Sequence, residues 1–135
     1  HGVDAVVVGG ASPREMEAAA AITAAARHPP RSALGSGLRR LVSILDGSAL
    51  VLALDSAPLH IAVALDRPVV SLMANADPRR TGPFRRFHDL VVDAYHDPGE
   101  TTPVSMRRRR GRMPRITVEA VLEKVELWER RYRTA

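Results

Sequence analysis

The sequence predicts an α/β fold in which a parallel sheet is covered by helices on both faces. Three observations predict it: apolar runs of strand length, helical patterns between them, and turn residues at the junctions. Runs that are apolar at consecutive positions suit strands buried on both faces, and regular alternation with helices suits parallel crossovers.

Residues 3–8 read as the first strand, and Gly9-Gly10-Ala11-Ser12 as the tight turn after it. Ser12 then Pro13 is an N-cap with proline at the first helical position, and Glu15 and Glu17 favour that end of the dipole. This helix runs to about Arg27-His28, where Pro29-Pro30 stops it. Residues 32–34 fit a very short strand. Gly35 to Gly37 leads into a helix with Leu38, Leu41, Val42 and Leu45 at helical spacing. Residues 49–54 form the next strand, which turns sharply at Asp55-Ser56-Ala57-Pro58 into a helix reaching about Leu65. Asp66-Arg67-Pro68 then turns into the strand 69–72. Residues 73–88 show no apolar periodicity and contain Pro78, Gly82 and Pro83. A final strand, 90–92, precedes a polar loop over 94–114. The closing helix, 117–131, carries Val118, Val121, Leu122, Val125 and Trp128 as its expected buried stripe. The layout is Rossmann-like and doubly wound, one domain over residues 1–135. Ligands in such sheets sit outside the carboxyl ends of the strands. Gly9-Gly10, Asp55-Ser56 and the loop from Met73 are therefore expected to converge on one crevice.

A 45% hydrophobic composition is that of a globular domain. No apolar stretch approaches the ~18 to 20 residues that span a bilayer. His1-Gly2 show no basic region followed by an apolar one, so no secretory signal is read, and the domain is expected to come from a longer protein. The absence of cysteine excludes disulfides, thiolate metal sites and a cysteine nucleophile, and suits a reducing cytosol. Lys124 is the one lysine among 20 basic residues, and the formal charge is +5. Arginine suits bidentate contact with phosphate or carboxylate, although a GC-rich coding sequence also yields it.

The turn at Asp55 brings a helix amino end to the sheet edge, where unpaired N–H groups and the dipole attract an anion. Ser56 and Ala57 are small enough for close approach, Asp55 can accept from sugar hydroxyls, and His60 lies in the first turn. The same residues also suit a simple Asp/Ser cap with an inward histidine. Gly9-Gly10 with Glu15 fits either a ligand turn or a purely structural one. It matches neither G-x-x-x-x-G-K-[ST] nor G-x-G-x-x-G. Arg79, Arg80, Arg85 and Arg86 surround a turn with Pro78, Thr81, Gly82 and Pro83; they neutralise an anion if they face the crevice and are solvated otherwise. Arg107 to Arg110 with Arg112 reads as a solvated, mobile loop with nothing apolar to anchor it. Its charge suits an anionic membrane or acceptor. No aromatic sits among these arginines for base stacking, so nucleic acid is not the expected partner. No G-x-S-x-G, H-E-x-x-H or metal-ligand cluster is present, and no catalytic residue, metal or cofactor is assigned.

Three segments carry a family resemblance: Asp55-Ser56-Ala57-Pro58-Leu59-His60-Ile61-Ala62, Arg67-Pro68-Val69-Val70-Ser71-Leu72, and Asp77-Pro78-Arg79-Arg80-Thr81-Gly82-Pro83. Together they resemble the C-terminal half of bacterial heptosyltransferases, glycosyltransferase family 9. Gly9-Gly10 with Glu15 resembles the family's glycine-rich turn and acidic residue. The resemblance implies the donor-binding half of a GT-B enzyme, taking a nucleotide-diphosphate sugar of the ADP-heptose kind for a lipopolysaccharide-type acceptor. It implies a donor site at Asp55, Ser56, Ala57, Pro58, Leu59 and His60, joined by Gly9, Gly10, Glu15, Arg80 and Thr81. Ser56 and Ala57 would hold the diphosphate and Asp55 the sugar. It implies no obligate metal or cofactor, a cytosolic location at the inner membrane, and an N-terminal half that carries the acceptor site. The domain alone is then expected to be inactive. Ala57 stands where the family has glycine, and its methyl would narrow the diphosphate turn if that turn needs positive φ. A non-catalytic nucleotide- or glycan-binding module is the alternative.

Overall fold

A computed structural model describes residues 2–133, so the reading of His1 lies outside the described residues. The strands are β1 (Val6–Gly9), β2 (Arg31–Leu34), β3 (Val51–Leu54), β4 (Val69–Met73) and β5 (Val91–Asp93). The helices are α1 (Pro13–Ala25), α2 (Leu38–Asp46), α3 (Ala57–Ala64), α4 (Pro78–Thr81) and α5 (Val118–Arg131). Short 3-10 turns lie at His88–Leu90 and Met113–Arg115. The fold is α/β and Rossmann-like, and every strand pairing is parallel. The strands form two sheets, β1-β2 and β3-β4-β5, in two units, His1–Ile44 and Leu45–Ala135.

In the first unit β1 and β2 pair from Val6 opposite Arg31 to Gly9 opposite Leu34. Helix α1 starts where Ser12-Pro13 predicts, on a complete capping box. Ser12 Oγ accepts from the Glu15 N–H at 3.3 Å, and the Glu15 carboxylate accepts from the Ser12 N–H at 3.2 Å.

In the second unit β4 lies between β3 and β5. Val69, Val70, Ser71 and Met73 are all buried, so both faces of β4 are covered, as a parallel sheet requires. Helix α3 packs on β3 and β4, and α5 on β4 and β5. Trp128 is buried and its Nε1–H donates to the Ala49 carbonyl at 3.1 Å, so the largest apolar side chain also has its polar edge satisfied. The stripe of α5 is narrower than the sequence pattern predicts. Val118 is 69% exposed and Leu122 43%. The buried face turns instead toward Lys124 and Tyr132. Lys124 Nζ donates to the Asp89 carbonyl at 2.9 Å and the Tyr132 hydroxyl to the Asp89 carboxylate at 2.9 Å. Polar anchoring of the helix sets its rotation here.

Residues 73–88, which lack apolar periodicity, are ordered by a cap and a glycine. Asp77 accepts from the Arg79 N–H at 3.0 Å and starts α4, with Pro78 at its first position. Gly82 ends α4, and a Cβ there would meet the Pro78 carbonyl oxygen at 2.3 Å. Gly82→Ala is therefore expected to destabilise the protein by about 1–3 kcal/mol through forced backbone movement. Denaturant unfolding checks it: an unchanged midpoint would show that the turn yields without cost.

Candidate functional site

The carboxyl end of β3 delivers Asp55 and Ser56 to the start of α3. Ser56 is extended, at φ −156° and ψ 171°, and its hydroxyl donates back to the Leu54 carbonyl at 3.2 Å. It makes no cap bond to α3. The Asp55 carboxylate does not cap either. Its Oδ2 accepts from the Thr81 hydroxyl at 3.1 Å, and its Oδ1 lies 3.9 Å from His60 Nε2. The Asp/Ser capping reading thus has no hydrogen bond behind it. The N–H groups of Ser56 and Ala57 have no partner among the described residues, which leaves two donors at the positive end of an apolar helix.

The predicted residues separate by role around this turn. Pro58 occupies the first helical turn without an N–H to satisfy. Leu59 is fully buried, and its N–H is bonded to the Ser56 carbonyl at 3.1 Å, so it anchors the turn from beneath and offers a ligand nothing. Ala57 is not among the residues at positive φ, so its methyl fits the turn and the expected narrowing does not arise. His60 is exposed.

His60 also lines an open cleft of about 860 Å³ at the carboxyl edge of the β3-β4-β5 sheet, with Arg80, Phe84, Arg85, His88 and Asp93. The four arginines of the predicted cluster divide. Arg80 lines the cleft, and its side chain has no hydrogen bond or ion pair among the described residues. Arg85 also lines it, at positive φ, with its guanidinium 5.0 Å from the Phe84 ring centroid. Arg86 pairs with Asp66 and stacks on Phe87, and it does not line the cleft. Arg79 is committed to structure: its Nε and Nη2 donate to both oxygens of Asp77 at 3.0 and 2.7 Å, and its Nη1 to the Thr102 carbonyl at 2.7 Å. Of these four, Arg79 and Arg86 are committed to protein carboxylates, and the side chains of Arg80 and Arg85 stay available in the cleft.

Behind the cleft lies a network that the sequence did not disclose. Asp77 is fully buried, and the Arg79 guanidinium holds its carboxyl well below the usual carboxylate range. Arg79 Nη2 also reaches His96 Nε2 at 2.9 Å. A guanidinium only donates, so Nε2 accepts and Nδ1–H donates to Asp93 at 2.7 Å. Asp93 further accepts from the N–H groups of Tyr95 and His96 at 2.9 and 3.1 Å. One signal for this network was readable, because Asp77-Pro78 has the same cap-plus-proline form as Ser12-Pro13. The partners at 93 and 96 have no local signal.

In the first unit Gly9, Gly10 and Glu15 do come together, in a cap. Glu15 Oε1 accepts from the Gly10 N–H at 2.7 Å, and Oε2 from the Ser12 hydroxyl at 2.6 Å. These bonds hold the Glu15 carboxyl below its ordinary range, the Ser12 hydroxyl most of all. A Cβ at position 10 would sit 2.6 Å from Glu15 Oε2, so a side chain there would displace the carboxylate from its bonds to the cap.

The Arg107–Arg112 segment is not the unanchored loop the sequence suggests. Arg109 pairs bidentately with Glu100 and stacks on Tyr95 at 4.5 Å, and Arg112 pairs with Asp97 at 3.2 Å. Charge replaces apolar side chains as its anchor. Among the described residues no three His, Asp or Glu side chains converge closely enough to hold a metal ion, and no helix is long and apolar enough to cross a membrane.

Together these features define a Rossmann-like α/β protein with an anion-suited helix end and, at the carboxyl edge of a parallel sheet, a cleft into which arginine and histidine side chains open. The chain belongs to glycosyltransferase family 9 (heptosyltransferase), which it matches over residues 1–108. It is 33% identical over 98 residues to the lipopolysaccharide core heptosyltransferase OpsX of Haemophilus influenzae, a match covering 72% of this chain and 28% of that protein. The chain thus spans well under half the length of that relative. No solved structure matches it significantly.

Proposed function

We propose that this chain is the donor-binding half of a GT-B glycosyltransferase and takes a nucleotide-diphosphate sugar of the ADP-heptose kind. A lipopolysaccharide-type saccharide is the acceptor, and the reaction runs on the cytosolic side. The observation that carries the reading is the start of α3, where the free N–H groups of Ser56 and Ala57 stand beside an uncapping Asp55 and the unpaired Arg80. The two N–H groups and the dipole hold the diphosphate and stabilise the charge that develops on it as the glycosidic bond breaks. Asp55, oriented by Thr81, accepts from the donor sugar hydroxyls. His60 and Arg80 flank the diphosphate. The acceptor site and the catalytic base lie in the N-terminal half of the whole protein.

Calorimetric titration with ADP-, UDP- and GDP-sugars tests the reading. The chain should bind one nucleotide class with measurable heat yet transfer no sugar to any acceptor. Heatless titrations with all three would overturn the donor site, and turnover by the pure chain would overturn the need for a second half.

A further inference from the structure

The loop 101–113 combines rigidity with an outward face that the fold itself does not use. From below it is held at many points. Asp77 Oδ2 accepts from the Ser105 N–H at 3.0 Å, and Arg79 donates to the Thr102 and Pro103 carbonyls at 2.7 and 3.2 Å. The Tyr95 hydroxyl donates to the Arg107 carbonyl at 2.8 Å, and the Arg109 N–H to the Asn75 carbonyl at 2.9 Å. The acidic groups beside the loop are already engaged, Glu100 by Arg109 and Asp97 by Arg112 and Arg115. What the loop displays is different in kind. Val104 is 57% and Met106 77% exposed. Next to them, Arg107, Arg108 and Arg110 are exposed, and their side chains have no hydrogen bond or ion pair among the described residues.

We propose that this loop is an interfacial docking surface that seats the protein on an anionic lipid bilayer. The aliphatic tips enter the boundary between headgroups and acyl chains, and the three free guanidinium groups meet lipid phosphates. Charge complementarity and apolar exposure point to the same occupant. A nucleic acid backbone would use the arginines but has no place for Val104 and Met106, and no aromatic side chain is offered for base stacking. Because the anchors beneath are buried or paired, the surface is preformed, and binding orders few groups. The inference stands on the loop alone and does not depend on the donor reading.

Co-sedimentation of the full chain with vesicles tests it. Binding should be present on phosphatidylcholine vesicles containing phosphatidylglycerol, absent on phosphatidylcholine alone, and weakened by salt. Replacing Arg107, Arg108 and Arg110 with serine should weaken binding roughly 100-fold. Val104→Ser with Met106→Ser should abolish the part that survives high salt. All five side chains are exposed, so both variants should keep the wild-type melting temperature. Equal partition onto both vesicle types, no partition onto either, or wild-type affinity in both variants would overturn the proposal. Tighter binding to duplex DNA than to anionic vesicles would overturn it in favour of nucleic acid.

Discussion

Asp77→Ala is expected to lower the stability of this protein by about 3 kcal/mol, the low end of the cost of breaking a buried ion pair. The low end applies because Arg79, the partner left behind, keeps water on part of its surface. The loss is still large because one carboxylate serves four donors: the Arg79 N–H, two guanidinium nitrogens and the Ser105 N–H. The last of these ties the loop 101–113 to α4, so the change releases two segments together. A fall in melting temperature of roughly 10 °C would follow. The acid response should identify the same group. The Asp77 pKa is lowered chiefly by the Arg79 hydrogen bonds, so the folded state holds its proton less tightly than the unfolded chain does. Its stabilisation is therefore fully present above the unfolded value of about 3.9 and is lost as pH falls from there toward the lower folded value. Urea midpoints measured from neutral pH down to the acid limit should show this slope in the wild type and a shallower one in Asp77→Asn. Parallel slopes would assign the acid sensitivity elsewhere, with Asp97 and Glu100 as the next carboxylates to replace, since arginine partners depress both.

What the sequence discloses here depends on how locally each feature is encoded. The cap at Ser12-Pro13, the strand cores and the turn at Asp55 follow from neighbours in sequence, and they stand where the pattern puts them. The five parallel strands appear in order, although in two sheets. Features decided by distant partners were not legible. The rotation of α5 is set by Asp89, which lies 35 residues from Lys124 and 43 from Tyr132. Arg109 and Arg112 look like solvated charge until Glu100 and Asp97 fold against them. In the candidate site, the grouping of Asp55, Ser56, His60 and Thr81 was readable, while the commitment of Arg79 to Asp77 was not. A run of arginines carries no label for which member is paired. Only the fold separates Arg79 from Arg80.

Asp55→Ala is expected to weaken binding of the nucleotide-diphosphate sugar about 10- to 100-fold while leaving the bare nucleoside diphosphate within a few-fold, the loss being that of charge-assisted hydrogen bonds to sugar hydroxyls. The obvious objection is electrostatic, since a carboxylate next to a diphosphate costs Coulomb energy. Two features of the turn reduce that cost. Thr81 donates to Asp55 Oδ2 and holds the carboxylate toward α4, and Arg80, one residue away and unpaired among the described residues, brings a compensating charge. The N–H groups of Ser56 and Ala57, without a partner among the described residues, would add partial positive charge beside a bound diphosphate. His60→Ala should then weaken sugar-bearing and bare nucleotides alike, and Arg80→Gln should do the same with a stronger dependence on salt. None of the three changes should unfold the protein. Asp55 makes no cap bond to α3, so the ~1 kcal/mol that a lost N-cap costs should be missing from Asp55→Ala. Calorimetry with both ligand types, paired with a denaturant melt of each variant, separates the outcomes. If Asp55→Ala destabilises the protein and leaves every affinity alone, Asp55 is a structural residue and the donor site must be sought along the Arg80 and Asp93 walls of the cleft.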